Sequence, residues 1–213
     1  MAKGKDEQGR QTTARRRPVL RPSRKAAGLQ GENRMRHLLD DRLEEPTYVV
    51  MHDVIIPGLY GMPTQIDHLV ISTYGVFVVE MKNWKGDLEA RATRWLQRKG
   101  PREQMLKNPI RQNAQHVKTI ATRLNIPETL IRNLVAVPPQ ARFSGGQPEG
   151  VYFFAQVPDV IRSYATPVIK PEQVPEIASA VRAWIKAVPV EDRRNFTQIL
   201  KRRFREHPGQ KMV

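Results

Sequence analysis

The stretch "QIDHLVISTYGVFVVEMKNWKG", Gln65 to Gly86, constrains the fold more than any other part of this 213-residue chain. Two runs rich in β-branched and aromatic residues flank "TYG", which predicts a β-hairpin. With Thr73 and Tyr74 as a two-residue loop, the register sets Asp67 opposite Glu80 on the same face of the sheet. Side chains two apart on a strand share a face, so Val76, Val78, Glu80 and Lys82 form one row while Phe77, Val79, Met81 and Asn83 form the other. An apolar row therefore runs into a carboxylate and an amine.

Directly opposed Cβ atoms lie about 4.5–5.5 Å apart, and two like charges at that spacing repel unless something positive sits between them. Lys82 is one candidate for that charge and a divalent cation is the other. A lone Glu-x-Lys is a loose motif that also describes an ion pair where a core strand surfaces. A three-residue loop would shift the register by one and remove the Asp67–Glu80 pairing.

The surrounding segments supply the rest of a sheet and its cover. Glu32, Met35, Leu39 and Leu43 fall on one stripe of a helix predicted over 29–45, with Glu32 the one acid on the stripe. "TYVVMHDVII" reads as a strand ended by Pro57 and the loop "PGLYGMP". "GDLEARATRWLQRKG" holds one or two more strands in which Trp95 packs. A helix then starts with Asn108 as N-cap and Pro109 at its first position. Its apolar face is Ile110, Ala114, Val117, Ala121 and Leu124. Gln112 and His116, four apart, share a side off that face, where they either meet solvent or line a groove. "LIRNLVAVPP" and "GVYFFAQVPD" read as the last strands with "QARFSGGQPEG" as a loop between them. Two helices follow, one over about 171–187 and one with Phe196, Ile199, Leu200 and Phe204 on its apolar stripe. This mixed order predicts an α/β or α+β fold with a mixed sheet covered by helices.

Charge narrows the partners. Thirty-six basic residues against 21 acidic give a net charge of +15, which favours polyanions because phosphate neutralisation dominates nucleic-acid affinity. Nine of the basic residues fall in the first 25 positions against only Asp6 and Glu7, so residues 1–27 read as a disordered basic arm. Arg15, Arg16 and Arg17 in that arm, and Lys85 beyond the hairpin, are candidate nucleic-acid contacts. The main domain is read as 28–188, with a basic C-terminal helix and tail over 189–213. No cysteine occurs, which removes disulfides, thiolate catalysis and cysteine zinc sites. No run has the roughly 18 apolar residues of a membrane span, and the N-terminus lacks a signal-peptide pattern, so the expectation is a soluble, cytoplasmic protein with no membrane partner.

Other chemistries lack their motifs. There is no Gly-Lys-Ser/Thr phosphate loop, no Gly-x-Gly-x-x-Gly and no Gly-x-Ser-x-Gly elbow. His37, His52, His68, His116 and His207 show no zinc spacing and read as surface or packing residues, with His68 directed away from Asp67. The acidic cluster remains. Asp67, Glu80 and the backbone carbonyl of Met81 are hard oxygen donors of the kind magnesium prefers. Lys82 beside them is placed to position a water or offset charge on a phosphate, and Glu32 could hold the ion through water. These are the parts of metal-assisted phosphodiester hydrolysis.

Asp67, Glu80-x-Lys82 and a preceding helical Glu32 resemble the PD-(D/E)xK nuclease superfamily, and more closely its nuclease-related domain (NERD) branch. The matching stretches are "GENRMRHLL", "DVIIPG", "QIDHLVISTYGVFVVEMKNWKG" and "KNPIRQNAQHVKTIATRL", which span about 31–124. The resemblance implies a restriction-endonuclease-like αβββαβ core with flanking helices. It further implies a Mg²⁺ (or Mn²⁺) nuclease site at Asp67, Glu80 and Lys82, Glu32 as accessory acid and metal ligand, and Gln112 near the site. DNA is the implied substrate, with RNA or a non-catalytic nucleic-acid-binding role as alternatives. A homodimer is expected only by analogy with nucleases that cut both strands.

Overall fold

The computed structural model describes residues 24–59, 62–196 and 198. Helix α1 (Arg24–Arg42) starts within the stretch read as a basic arm, and Met35, Leu39 and Leu43 on its predicted stripe are all buried. It stops short of Glu45, because a residue before proline, here Pro46, is driven out of the helical region. Strands β1 (Tyr48–Pro57), β2 (Pro63–Ser72) and β3 (Gly75–Met81) follow as an antiparallel meander. The hairpin has the expected two-residue loop, closing at Ser72↔Gly75. Gly75 adopts φ +133°, and a Cβ there would come within 3.0 Å of the Leu130 carbonyl, so glycine is required on two counts.

Between β3 and helix α2 (Pro109–Leu124) the chain makes three strands: β4 (Gly86–Glu89), β5 (Arg94–Lys99) and β6 (Arg102–Lys107). They join β8 (Ala141–Phe143) in a second sheet ordered β6-β5-β4-β8. The sequence pattern predicts one or two strands here and a loop over 140–150. Three residues of β8 are too short to carry a pattern, and their pairing with β4 is parallel and more than 50 residues distant in sequence. The main sheet is ordered β1-β2-β3-β7-β9, with β7 (Ile131–Val137) and β9 (Val151–Phe153) parallel to β3. The expected αβββαβ order is therefore present, with the small sheet inserted before its second helix. Only the start of "GVYFFAQVPD" is strand, since a 3₁₀ turn and helix α3 (Val157–Arg162) come directly after it. Helices α4 (Gln173–Ala187) and α5 (Val190–Arg194) come last. Phe196 packs against Ile55 and Val188, while Ile199, Leu200 and Phe204 lie outside the described residues.

Helices cover both faces of the main sheet. Val117, Ile120 and Ala121 of α2 and Val174, Ile177 and Val181 of α4 pack on Val76, Val78 and Leu69. Met35 and Leu39 of α1 and Val157 and Ile161 of α3 pack on Phe77, Val79 and Val70. Strand β3 is buried along its whole length, as a strand must be when both of its faces are covered. Each fully buried Val or Phe there contributes about 1.5–3 kcal/mol, which makes β3 a rigid base for the polar residues at its end.

One irregularity matters for the site. Met51 and Val54 point into the same core layer, as do Ile66 and Leu69, although strict alternation would place residues three apart on opposite faces. The β1–β2 register is the same on both sides of the break, and the pair left out of the ladder is Asp53 with Asp67. Asp53 has φ +51°, a left-handed conformation that aspartate tolerates better than most residues. Both strands thus change face together at two acids.

Candidate functional site

Backbone pairing brings Glu80 and Lys82 to the end of β3 on the α2 side of the sheet. The Lys82 amide continues the parallel ladder by donating to the Ala136 carbonyl at 2.9 Å. Amides alternate in direction along a strand, so the Met81 N–H faces β2. There the β2–β3 ladder has ended at His68↔Val79, one step before the expected Asp67–Glu80 pair. The Asp67 carboxylate takes the place of a backbone acceptor, its Oδ2 receiving the Met81 N–H at 2.7 Å. The face change at Asp67 frees it for this role.

Glu80 is 4 % exposed and has three neighbours. Its Oε1 accepts from Lys82 Nζ and from Gln112 Nε2 at 2.7 Å, and its Oε2 lies 3.5 Å from His116 Nε2. Burial alone would raise its pKa, but the adjacent His116 and the charge and hydrogen bond of Lys82 hold it below the usual value. Asp67 goes the other way. Burial and then the charge of Glu80 push it up to about 7, only partly offset by the Met81 N–H and Lys82. The two carboxylates therefore divide, one held ionised and the other ready to carry a proton near neutrality.

Glu32 joins from α1. Gly31 is buried, and a Cβ on it would sit 3.0 Å from Met81 Cε and 3.5 Å from the Asn83 side chain, so the helix crosses close over the end of β3. Glu32, one residue on, is half-buried, and its pKa is raised by burial and by Asp53, with Arg36 opposing. Arg36 also forms an ion pair with Asp53. The charge of Glu32 contributes to the upward shift of Asp67.

Asp67, Glu80, Lys82 and Gln112 are thus brought together, and Glu32 lies near enough for its charge to act on Asp67. Lys85 is exposed three residues beyond Lys82, and Arg15, Arg16 and Arg17 lie outside the described residues. Among the described residues no group of three or more His, Asp or Glu side chains is arranged to hold a metal ion. The site offers two carboxylates instead, Asp67 with its pKa raised by burial and by Glu80, and Glu80 held low by its neighbours. Two carboxylates completed by waters and substrate oxygens are a usual donor set for Mg²⁺, so the chemistry of the donors fits that ion.

His116, expected with Gln112 either to meet solvent or to line a groove, and not named among the site residues, lies against Glu80. It is buried, because α2 lies on the sheet with Asn113, His116, Val117 and Ile120 facing inward, a face rotated from the predicted one. Its Nδ1 lies 3.0 Å from Thr64 Oγ1, so β2, α2 and β3 are joined through Thr64, His116 and Glu80. The available signal was its spacing of four from Gln112. Asn113 anchors the helix beneath the site, its Nδ2 donating to the carbonyls of Val78 at 2.8 Å and Leu134 at 3.1 Å and to Asn133 Oδ1 at 2.8 Å. His52 and His68 behave as packing histidines. Their Nδ1 atoms are 2.7 Å apart, His52 Nε2 lies 2.8 Å from Asp40, and burial followed by His52 lowers His68 to about 3, so it is neutral.

A mixed sheet between helix layers, with Glu80 and Lys82 at the end of the central strand β3 and Asp67 meeting them from β2, defines a nuclease-like α/β protein. The nuclease-related domain family matches residues 27–138, more than half of the chain, and the chain belongs to that family. An uncharacterized protein of Bacillus anthracis is 40 % identical over 95 residues, which are 44 % of this chain and 44 % of that protein. The chain thus aligns with less than half of that relative's length. No solved structure matches it. No helix among the described residues is long and apolar enough to cross a membrane.

Proposed function

We propose that the protein is a Mg²⁺- or Mn²⁺-dependent nuclease that hydrolyses phosphodiester bonds in DNA. The observation that carries this reading is the gathering of Asp67, Glu80 and Lys82 at the end of β3, where Asp67 accepts the Met81 N–H and Glu80 accepts from Lys82 and Gln112. Burial and Glu80 also raise the pKa of Asp67 to about 7, a cost that a divalent cation held by these residues would reduce. Asp67 and Glu80 would hold the ion, with Glu32 reaching it through water. When bound, the ion would neutralise charge on the scissile phosphate and acidify a water. Gln112 keeps Glu80 in one orientation through Oε1. Lys82, held by Glu80 and lying 5.9 Å from the Trp84 ring centroid, offsets the charge that develops on the phosphate oxygens.

The test is incubation of the purified protein with linear, circular and single-stranded DNA and with RNA, in Mg²⁺, Mn²⁺ or EDTA. Metal-dependent cleavage of DNA is expected. Absence of metal-dependent cleavage of every substrate would end this reading, and cleavage of RNA alone would reassign the substrate. A second reading is a nucleic-acid-binding protein that retains the fold without catalysis. It expects salt-sensitive binding with no metal-dependent cleavage, unaltered when Glu80 is replaced.

A further inference from the structure

We propose that Lys85, Lys99 and Arg102, at one end of the small sheet, form a grip for the phosphate backbone of the nucleic acid, immediately beside the Asp67–Glu80 site. The proposal rests on the nuclease reading for its substrate, and its geometry comes from the inserted sheet.

Pairing brings the three residues to the same end of the small sheet. Lys99 and Arg102 are direct cross-strand partners in the β5–β6 hairpin. The β4–β5 register pairs Asp87 with Arg98, which sets Gly86 beside Lys99, and a Cβ on Gly86 would lie 3.2 Å from Lys99 Cγ. Gly86 has φ +92°, and the same Cβ would strike the Arg98 carbonyl at 2.6 Å. Glycine here lets β4 begin close against the hairpin end, and Lys85 is the residue before it. All three cations are exposed.

Their charge is uncompensated where their neighbours' is not. Glu89 pairs with Arg91 and Arg98, Glu103 with Arg98, and Asp87 with Arg142. Every acid of β4 to β6 is thus taken by an arginine other than these three. Among the described residues, Lys85, Lys99 and Arg102 have no carboxylate partner. Like charges directly opposed across a ladder are destabilising, so the Lys99–Arg102 pair costs the free protein stability that a bound polyanion would restore.

The grip is tied rigidly to the site. Only Asn83 and Trp84 separate Lys85 from Lys82, three steps of chain that span at most about 11 Å. Gln97 on β5 donates to the Lys85 carbonyl at 2.8 Å. Trp84 packs on Trp95 with ring centroids 5.8 Å apart, and the Lys82 ammonium lies 5.9 Å from the Trp84 centroid. Asn108 caps α2 through Ile110 N and holds the carbonyls of Arg91 and Ala92, so the far side of the small sheet is fastened to the helix that carries Gln112. A strand seated on the three cations would be led toward Lys82.

The experiment compares two triple variants of the full chain. One is Lys85→Ala, Lys99→Ala, Arg102→Ala. The control is Lys170→Ala, Arg182→Ala, Lys186→Ala, which removes the same charge from exposed positions in and just before α4, the helix that packs on β1 at the other edge of the main sheet. Binding of fluorescent duplex and single-stranded DNA and RNA is followed by anisotropy in EDTA across a salt series. Each lost phosphate contact lowers the slope of log K against log salt by about 0.9 on duplex DNA and about 0.7 on single strands. The first triple should lose about 2–3 units of slope on duplex DNA, and the control less than 1. In metal, the first triple should raise KM several-fold with kcat within about twofold. Equal losses in the two triples, or wild-type protein that binds no nucleic acid, would overturn the grip. Binding with the expected slopes but no cleavage would uphold the grip and remove the catalytic reading instead.

Discussion

Asp67→Asn should stabilise the metal-free protein at neutral pH, although it removes a residue proposed to be essential for activity. Asp67 is raised to about 7 in the folded chain by burial and by Glu80, against about 3.9 in an unfolded one. Between those values the native state holds more protons than the unfolded state, so unfolding free energy falls as pH rises through that window. The cost of the ionised Asp67 is absent below about pH 4 and complete above about pH 7. Three pKa units correspond to a ceiling of about 4 kcal/mol. Asparagine keeps an oxygen that can accept the Met81 N–H, now at 2.7 Å, so little is lost in exchange. Urea unfolding in EDTA at a series of pH values from 4 to 8.5 should show the variant ahead by about 1–4 kcal/mol at pH 8, with the difference gone near pH 4. Parallel stability profiles across that range, or a variant less stable than wild type at pH 8, would refute the divided carboxylate pair. Mn²⁺ should then stabilise the wild type and not the variant, because only the wild type recovers the cost of ionising Asp67.

Glu80→Gln and Lys82→Ala should each abolish metal-dependent cleavage while leaving DNA affinity in EDTA within about twofold, checked by parallel cleavage and anisotropy assays. His116→Ala should weaken Mn²⁺ binding by about 10–100-fold, the range typical when a side chain behind a metal ligand is lost; Thr64→Val should act in the same direction with a smaller effect, and calorimetric titration of Mn²⁺ measures both. Asn113→Leu should destabilise the fold by about 2–4 kcal/mol because it leaves the buried Val78 and Leu134 carbonyls without their side-chain donor, which equilibrium denaturation reads directly.

Short-range rules made much of this protein legible in its sequence. The β2–β3 register followed from a two-residue loop and strand alternation, and the α2 start followed from Asn108 and Pro109, whose effects are confined to one turn. The buried Met35, Leu39 and Leu43 followed from the period of a single helix. Glu80, Lys82 and Asp67 could be placed near one another because all three lie on one hairpin.

Only the tertiary structure decided the rest. Alternation cannot foresee that β1 and β2 both change face at Asp53 and Asp67, since that break requires two strands to distort together. The rotation of α2 that buries His116 against Glu80 depends on how the helix settles onto β3 and β7, which its own apolar period did not determine. The β4–β8 pairing joins segments more than 50 residues apart, beyond the reach of any local pattern. The sequence by itself therefore determined the hairpin, its acids and its lysine, because backbone geometry acts within a few residues. Packing decided how the two carboxylates divide the charge, because burial and field depend on what the remainder of the chain places around them.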